Sequence, residues 1–422
     1  MSQEPEHEAV AAAPGEALLA LATRKRVKED PTCPETLPSV PAMATEDWSK
    51  WSTLPDDLVR RIAHSFLANN DLDYYMSVRG VCPTWRAATD DPSSSSDTGD
   101  SRFHPRGWIV LDEDLQGDGR RVLLNTLTGR FLRKKLPMLL DCYVVGTSAG
   151  FFVLADRSPP HAARVFNPLT GYMLRYAAPV PPDVSFSDVI ISEDDFLVLS
   201  FFCDSSRNIH RAAANDEHFS VSLQSQASYD VIRKLVVGDV YLLFHHSGPS
   251  TPGILLQNFI AELPLSPAVL EKVFSCDLPA RGIQGFLVDL HRHICLVLKH
   301  PGCSVPFVFL VDTKTGELLP LESIHRFAIF IGNHRCLALD THIFPSIEAN
   351  CVYFTEHLDS SAHICKSNIK DRKAERISEA ADFVKQDKKF VLVGDRPFTL
   401  IQLLSSYTIN LPDSQLALQH VP

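Results

Sequence analysis

Two hydrophobic rhythms divide the chain. From Phe103 onward, short runs rich in Val, Ile, Leu and Phe alternate with Gly, Asp, Asn and Pro turns about every ten residues, the pattern of evenly spaced short strands. Ahead of them lies one stretch with helical spacing. In Leu54-Pro55-Asp56-Asp57-Leu58-Val59-Arg60-Arg61-Ile62-Ala63-His64-Ser65-Phe66, the residues Leu58, Ile62 and Phe66 recur at every fourth position, which predicts one apolar helix face. Pro55 suits a first helical turn, and Asp56 and Asp57 complement the positive end of the helix dipole. Asn69-Asn70-Asp71 then break the chain and offer an N-cap. A second amphipathic stretch follows, with Leu72, Tyr75, Val78, Cys82 and Trp85 on roughly one stripe. Pro83 must kink or end that helix before Trp85.

These rhythms set the expected organisation. Residues 1–47 carry six prolines and little periodic apolar pattern, as expected of a disordered tail. Residues 48–90 form the helical module. A serine-rich linker over 91–101 ("DDPSSSSDTGD" spans 90–100) is expected to act as a hinge. Residues 102–422 form a large all-β domain. One turn recurs within it: "LNTLTGRFL" at 124–132, "FNPLTGYML" at 166–174 and "VDTKTGELL" at 311–319. Asn or Asp bonds the backbone ahead of it to start the turn, and Gly supplies a positive φ to finish it. Asn125 and Asn167 lie 42 residues apart, and Asn167 and Asp312 lie 145 apart. The larger gap is about three periods of roughly 48, which suits four-stranded propeller blades. The expected fold is therefore a small all-α module followed by a kelch-like β-propeller of about six or seven blades.

Composition narrows the function classes. Hydrophobic residues make up 45% and charged residues 22%, ordinary for a globular protein. A net charge of −11 argues against nucleic acid and anionic membrane surfaces as partners. The longest apolar runs, "FLVLSFFC" and "VYLLF", are far too short for a membrane span. The ten cysteines include no C-x-x-C pair and sit mostly in apolar runs. Buried thiols in a reducing, intracellular compartment are expected, cytoplasmic or nuclear. The basic cluster from Arg24 to Lys28 reads either as a nuclear import signal or as a solvated charge run.

No motif makes a convincing catalytic, cofactor or metal site. Gly146-Thr147-Ser148-Ala149-Gly150 matches the G-x-S-x-G elbow of serine hydrolases, but that elbow needs a helix after it, and "FFVLADRS" reads as a strand. His291, His293 and Cys295 alternate, yet "HRH" sits where a hairpin tip is expected. The acidic runs at 112–114 and 193–195 lack calcium-loop spacing, and Gly117-Asp118-Gly119 has no helix behind it to make a phosphate loop. The expectation is a non-enzyme without cofactors.

The stretch "WSTLPDDLVRRIAHSFL…YYMSVRGVCPTWRAAT" resembles an F-box, the motif that docks the Skp adaptor of SCF-type cullin–RING ubiquitin ligases. The remainder resembles the plant F-box proteins with a C-terminal KIB-type domain, through "RFHPRGWIVL", "GTSAGFFVLAD", "RVFNPLTG", "FLVDL", "CLALDTHIFPSIEANCVYFTEH" and "PFTLIQLLSSYTINLPDSQLALQ". Two features depart from it: Pro83, and the unusually polar stretch 203–228, expected to be an insertion between strands. The resemblance implies that Leu54, Pro55, Leu58 and Ile62 face the adaptor. Val78, Val81, Cys82 and Trp85 would form the packed rear of the module and part of the interface. For Trp85, adaptor contact and plain internal packing stay equally open. The implied function is substrate reception for a ubiquitin ligase, with an unidentified protein as target. The alternative is a scaffold outside any ligase, and a hydrolase acting through Ser148 is a third class.

Overall fold

The computed structural model describes residues 49–93, 100–111, 119–181, 184–191, 197–203, 208–224, 229–237, 239–246, 254–257, 262–264, 284–290, 293–299, 305–312, 314–315, 317–333, 335–386, 389–394 and 397–410. The expected tail, 1–47, lies outside them, with its basic cluster. The chain divides at Trp51, inside the short helical turn Ser49–Ser52, and the larger unit, Ser52–Pro422, carries the remaining elements.

Three helices open this unit: α1 (Asp56–Ala68), α2 (Leu72–Arg79) and α3 (Pro83–Ala87). Asn70, at φ 57°, ends α1 in the left-handed conformation, and the Asp71 N–H bonds back to the Phe66 carbonyl at 2.8 Å. Pro83 does not kink a continuous helix. It opens α3 in the first turn, behind Cys82, whose thiol accepts from the Trp85 N–H at 3.5 Å.

Six sheets follow among the described residues. The first is β1 (Trp108–Leu111), β2 (Arg120–Asn125) and β3 (Phe131–Lys135). The second is β4 (Cys142–Ser148), β5 (Phe151–Asp156), β6 (Ala162–Phe166) and β7 (Met173–Pro179). The third is β8 (Val184–Ile191), β9 (Leu197–Cys203), β10 (Asn208–Ala212) and β11 (Ser220–Gln224). The fourth is β12 (Tyr229–Val237), β13 (Asp239–His246), β14 (Ile254–Gln257) and β15 (Glu262–Pro264). The fifth is β16 (Gln284–Leu290), β17 (His293–Lys299), β18 (Phe307–Val311) and β19 (Leu318–Pro320). Sheets two to five are four-stranded antiparallel meanders. The polar stretch 203–228 is thus not an insertion, because it supplies β10 and β11. Their short alternating segments are too polar to read as strands before β10 pairs with β9 and β11 with β10.

The sixth sheet is irregular. Its strands are β20 (Phe327–Ile331), β21 (Cys336–Asp340), β22 (Cys351–Leu358), β23 (Ser361–Asn368), β24 (Lys373–Arg376), β25 (Phe383–Gln386) and β26 (Lys389–Leu392). The order is β21-β20-β22-β23-β25-β26, with β24 also on β23, and β20 runs parallel to β22. A fourth helix, α4 (Leu400–Ile409), was not foreseen in a domain read as all-β. Its signal is nevertheless local: Thr399 and Gln402 form a capping box.

Neighbouring sheets share buried clusters. Trp108 and Leu123 join Phe152 and Leu154 between sheets one and two, and Val153 and Val165 join Leu199 and Phe201 between two and three. Phe286 and Val297 meet Ile329 and Phe354 between five and six. The sixth sheet then packs back on the first through Leu111, Leu124, Phe330 and Tyr353. Inner strands lie side by side, β4 with β8, β12 with β16 and β16 with β21.

The recurrent turn shows how the ring closes. Asn125 Oδ1 accepts from the N–H of Leu127 and Thr128, Asn167 Oδ1 from Leu169 and Thr170, and Asp312 Oδ1 from Lys314 and Thr315. Gly129 and Gly171 take φ of 75° and 80°. In sheets two and five the turn joins the third strand to the fourth, and in sheet one it joins β2 to β3. By this correspondence sheet one lacks its first, axial strand among the described residues. Arg335, just before β21, reaches across that place: its Nη2 donates to Thr147 Oγ1 of β4 at 3.1 Å, and its guanidinium stacks on Tyr407 of α4.

Gly332 lets α4 approach this closure. A Cβ at that position would overlap the backbone of Thr408 and Ile409. We expect Gly332→Ala to cost about 1–3 kcal/mol by overpacking, read as a lower unfolding midpoint with faster hydrogen exchange over 400–410.

Candidate docking surface on the helical module

The apolar arc of α1 is only partly covered. Val59 and Ala63 are fully buried, and Phe66 and Leu67 pack partly beside them. Leu58 and Ile62 lie on the flank of that face, 41% and 38% exposed. The sequence pattern placed Phe66 with Leu58 and Ile62. A four-residue step advances the stripe by about 40° on a helix of 3.6 residues per turn, so after two steps Phe66 has rotated onto the inner face, 5.4 Å from the Tyr74 ring.

The eight residues singled out from the sequence divide accordingly. Pro55 is exposed, and its carbonyl accepts from the N–H groups of Leu58 and Val59. Leu58, Ile62 and Val81 (55% exposed) are open to solvent. Val78 and Trp85 are buried in the core cluster, and Leu54 and Cys82 are half-buried against it. Val78 and Trp85 thus have packing partners within the chain.

That cluster belongs to both parts of the chain. Val59, Ala63, Leu72, Tyr75, Val78 and Trp85 share it with Phe103, Trp108, Val110 and Leu123. Module and first sheets therefore meet face to face, and residues 94–99 of the expected hinge lie outside the described residues. The Tyr75 ring lies 5.4 Å from Phe103, and its hydroxyl donates to the Asp90 carbonyl at 2.8 Å. Asn167, in the recurrent turn of sheet two, donates through Nδ2 to the Phe103 carbonyl at 2.7 Å.

Two arginines brace the module, one from within it and one from sheet one. Arg79 is buried, and its Nη1 donates to the carbonyls of Thr89 at 2.7 Å and Asp90 at 2.6 Å, while Nη2 pairs with Asp91 at 3.2 Å. It collects the carbonyls where the chain leaves α3. Arg130 comes from the other side, presented by the Asn125–Gly129 turn. Its Nη2 pairs with Asp73 at 2.7 Å and its guanidinium stacks 3.5 Å above the Tyr74 ring centroid. Burial pushes the nearby Asp71 carboxyl up, with Arg130 pulling the other way. Burial also holds the Lys134 ammonium below the usual lysine range while Nζ donates to the Leu169 carbonyl at 2.9 Å. Nothing local in the sequence marks Asp73, Tyr74, Phe103 or Arg130 as partners, since each contact links distant segments.

The G-x-S-x-G motif falls in a hairpin. Ala149 and Gly150, at φ 49° and 81°, turn β4 directly into β5, and Ser148 Oγ accepts from the Val189 N–H at 3.2 Å. His291 lies outside the described residues, His293 is exposed at the start of β17 and Cys295 is buried. Residues 112–114 and 193–195 also lie outside them. Among the described residues no helix is long and apolar enough to cross a membrane.

These features define a β-propeller carrying a packed helical module. The KIB1-4 beta-propeller family model matches residues 87–378, more than half of the chain, and the chain belongs to that family. A comparison with curated proteins found no match. Among solved structures the chain is similar to TolB from Acinetobacter baumannii, at 14% identity over 65% of this chain with a TM-score of 0.35. It spans 64% of the TolB chain. An oligogalacturonate lyase in complex with manganese is similar at 12% identity, over 61% of this chain and 70% of that one, with a TM-score of 0.33. A structure of the nidogen/laminin complex gives 10%, 64%, 91% and 0.30 for the same measures. None of these likenesses bears on activity.

The Arg130 contact yields a direct test. Arg130→Ala and Asp73→Ala should each lower stability by about 1–3 kcal/mol, the range for a part-buried charged hydrogen bond. The double variant should lose less than the sum, which a double-mutant cycle of denaturant unfolding measures.

Proposed function

We propose that this protein is the substrate-receptor subunit of an SCF-type cullin–RING ubiquitin ligase, of the plant F-box kind. The helical module docks a Skp-type adaptor, and through it the cullin. The propeller, read as kelch-like with about six or seven blades, holds a target protein. The chain supplies proximity instead of chemistry, raising the effective concentration of target lysines near the ubiquitin-carrying enzyme. It needs no cofactor or metal and works inside the cell, in cytoplasm or nucleus.

The observation that carries this reading is the partly covered helix α1. Its inner face is satisfied by the shared core, yet Leu58 and Ile62 on the flank of that face are left exposed to water. Burying the remaining exposed part of each side chain against a partner is worth about 1 kcal/mol. Pro55 and Val81 are exposed as well and extend the candidate contact, while Leu54 and Cys82 support it from half-buried positions. Val78 and Trp85 hold the module in shape from behind.

A scaffold outside any ligase is the second reading, since a propeller face and an apolar helix stripe serve that role equally. It predicts recovery of a binding partner without cullin. Co-purification of the full chain with a plant Skp adaptor and cullin decides between them. Leu58→Ala with Ile62→Ala should weaken adaptor binding by about tenfold or more, while the melting temperature moves little, because neither side chain belongs to the core. Undiminished adaptor binding by that variant would sink the proposed interface.

A further inference from the structure

The outer hairpin of the first sheet concentrates positive charge in a chain of net charge −11. Residues 119–135 contain six cations, Arg120, Arg121, Arg130, Arg133, Lys134 and Lys135, and no carboxylate. Arg130 is committed to Asp73 and Lys134 to the Leu169 carbonyl. Arg133 and Lys135 are exposed, and so is Phe131, at 46%. All three lie on one side of β3, where burial alternates residue by residue. β3 is an edge strand of its sheet.

The register fixes which backbone groups that edge presents. The Asn125 N–H bonds to the Arg130 carbonyl and the Leu136 N–H to the Gly119 carbonyl, both at 2.9 Å. Bonded and non-bonded pairs alternate along an antiparallel ladder. The pairs Leu124–Phe131, Val122–Arg133 and Arg120–Lys135 are therefore the non-bonded ones. The N–H and C=O groups of Phe131, Arg133 and Lys135 point away from β2, and none has a partner among the described residues. The same three residues thus offer an open backbone ladder together with one aromatic and two cationic side chains.

We propose that β3 is a docking edge for an extended acidic segment of another protein, which adds beside it as a further strand. Carboxylates of the guest sit opposite Arg133 and Lys135, and an apolar side chain sits opposite Phe131. An antiparallel guest reads, from N to C, acidic, any, acidic, any, apolar. Main-chain bonds supply the affinity and the cross-strand charge pairs supply the selectivity. Lysine on an edge strand ordinarily keeps other strands away; two cations with no carboxylate in their hairpin reject neutral and basic strands and admit acidic ones. Nucleic acid or an anionic membrane would use the charges but leave the outward N–H and C=O groups idle. The proposal is independent of the adaptor reading, since neither Leu58 nor Ile62 takes part.

The test is fluorescence anisotropy of the full chain with a labelled peptide containing Glu-Thr-Glu-Thr-Phe. Three controls accompany it: the same residues scrambled, the same peptide N-methylated at the two Glu and the Phe, and Lys-Thr-Lys-Thr-Phe. The parent peptide should bind, and each control should bind about tenfold more weakly or worse. Arg133→Glu with Lys135→Glu, checked for an unchanged melting curve, should lose the acidic peptide and gain the lysine one. Equal binding of the N-methylated or scrambled peptide would overturn the strand-addition proposal. So would binding of single-stranded RNA or phosphatidylserine vesicles in place of the peptide. The peptide-side controls need no altered protein, so they stand even if the double variant does not fold.

Discussion

A helical unit of about forty residues cannot bury enough apolar surface to be secure alone, and the arrangement of this protein follows from how that deficit is met. Tyr75, Val78 and Trp85 find their cover in Phe103, Trp108 and Leu123, so module and first sheets are halves of one core. Because Val59 and Ala63 face that core, the orientation of α1 is fixed, and with it the exposed flank that carries Leu58 and Ile62. Arg130 adds direction to what apolar contact alone would leave free to slide, because its ion pair with Asp73 and its stacking on Tyr74 tie sheet one to α2, while Arg79 braces the end of the module from within.

The same economy operates around the ring. One Asx–Thr–Gly turn serves three hairpins, and its three uses differ in what they present. In sheet one the residue after the turn glycine is Arg130, which clasps the module. In sheet two the turn asparagine itself reaches back to Phe103. The axial place that sheet one leaves open is spanned by Arg335 and the end of α4, a side-chain closure where a propeller more simply uses a strand. Gly332 makes it possible, since any side chain there would meet the helix backbone.

The edges of the sheets carry the remaining freedom. Asn410, just past α4, bonds both the N–H and the C=O of Phe390 on β26, so a side-chain amide satisfies that position of the sixth sheet. β3 has no such cover among the described residues, and its outward groups coincide with its exposed cations. Edge strands with equal backbone geometry thus differ in what can approach them, and the difference lies in side chains.

Much was legible in the residues themselves. Period-two runs with regular turn chemistry specified short strands, and the Asx–Gly turns formed as read because their hydrogen bonds are local. The G-x-S-x-G stretch lies at a hairpin for the same reason: two flanking strand patterns outweigh a motif. The capping box of α4 was equally local and was passed over within a β context. What the sequence could not decide is which apolar residues face inward. Leu58 and Val59 are adjacent and similar, and only the presence of Phe103 and Leu123 buries one and exposes the other. Trp85 likewise belongs to the core because distant strands complete its surroundings. β10 became a strand by pairing with β9, and β11 by pairing with β10. Local hydrogen bonding is written in neighbouring residues, whereas burial and strand pairing depend on segments far apart in the chain, so those were settled by the tertiary structure alone.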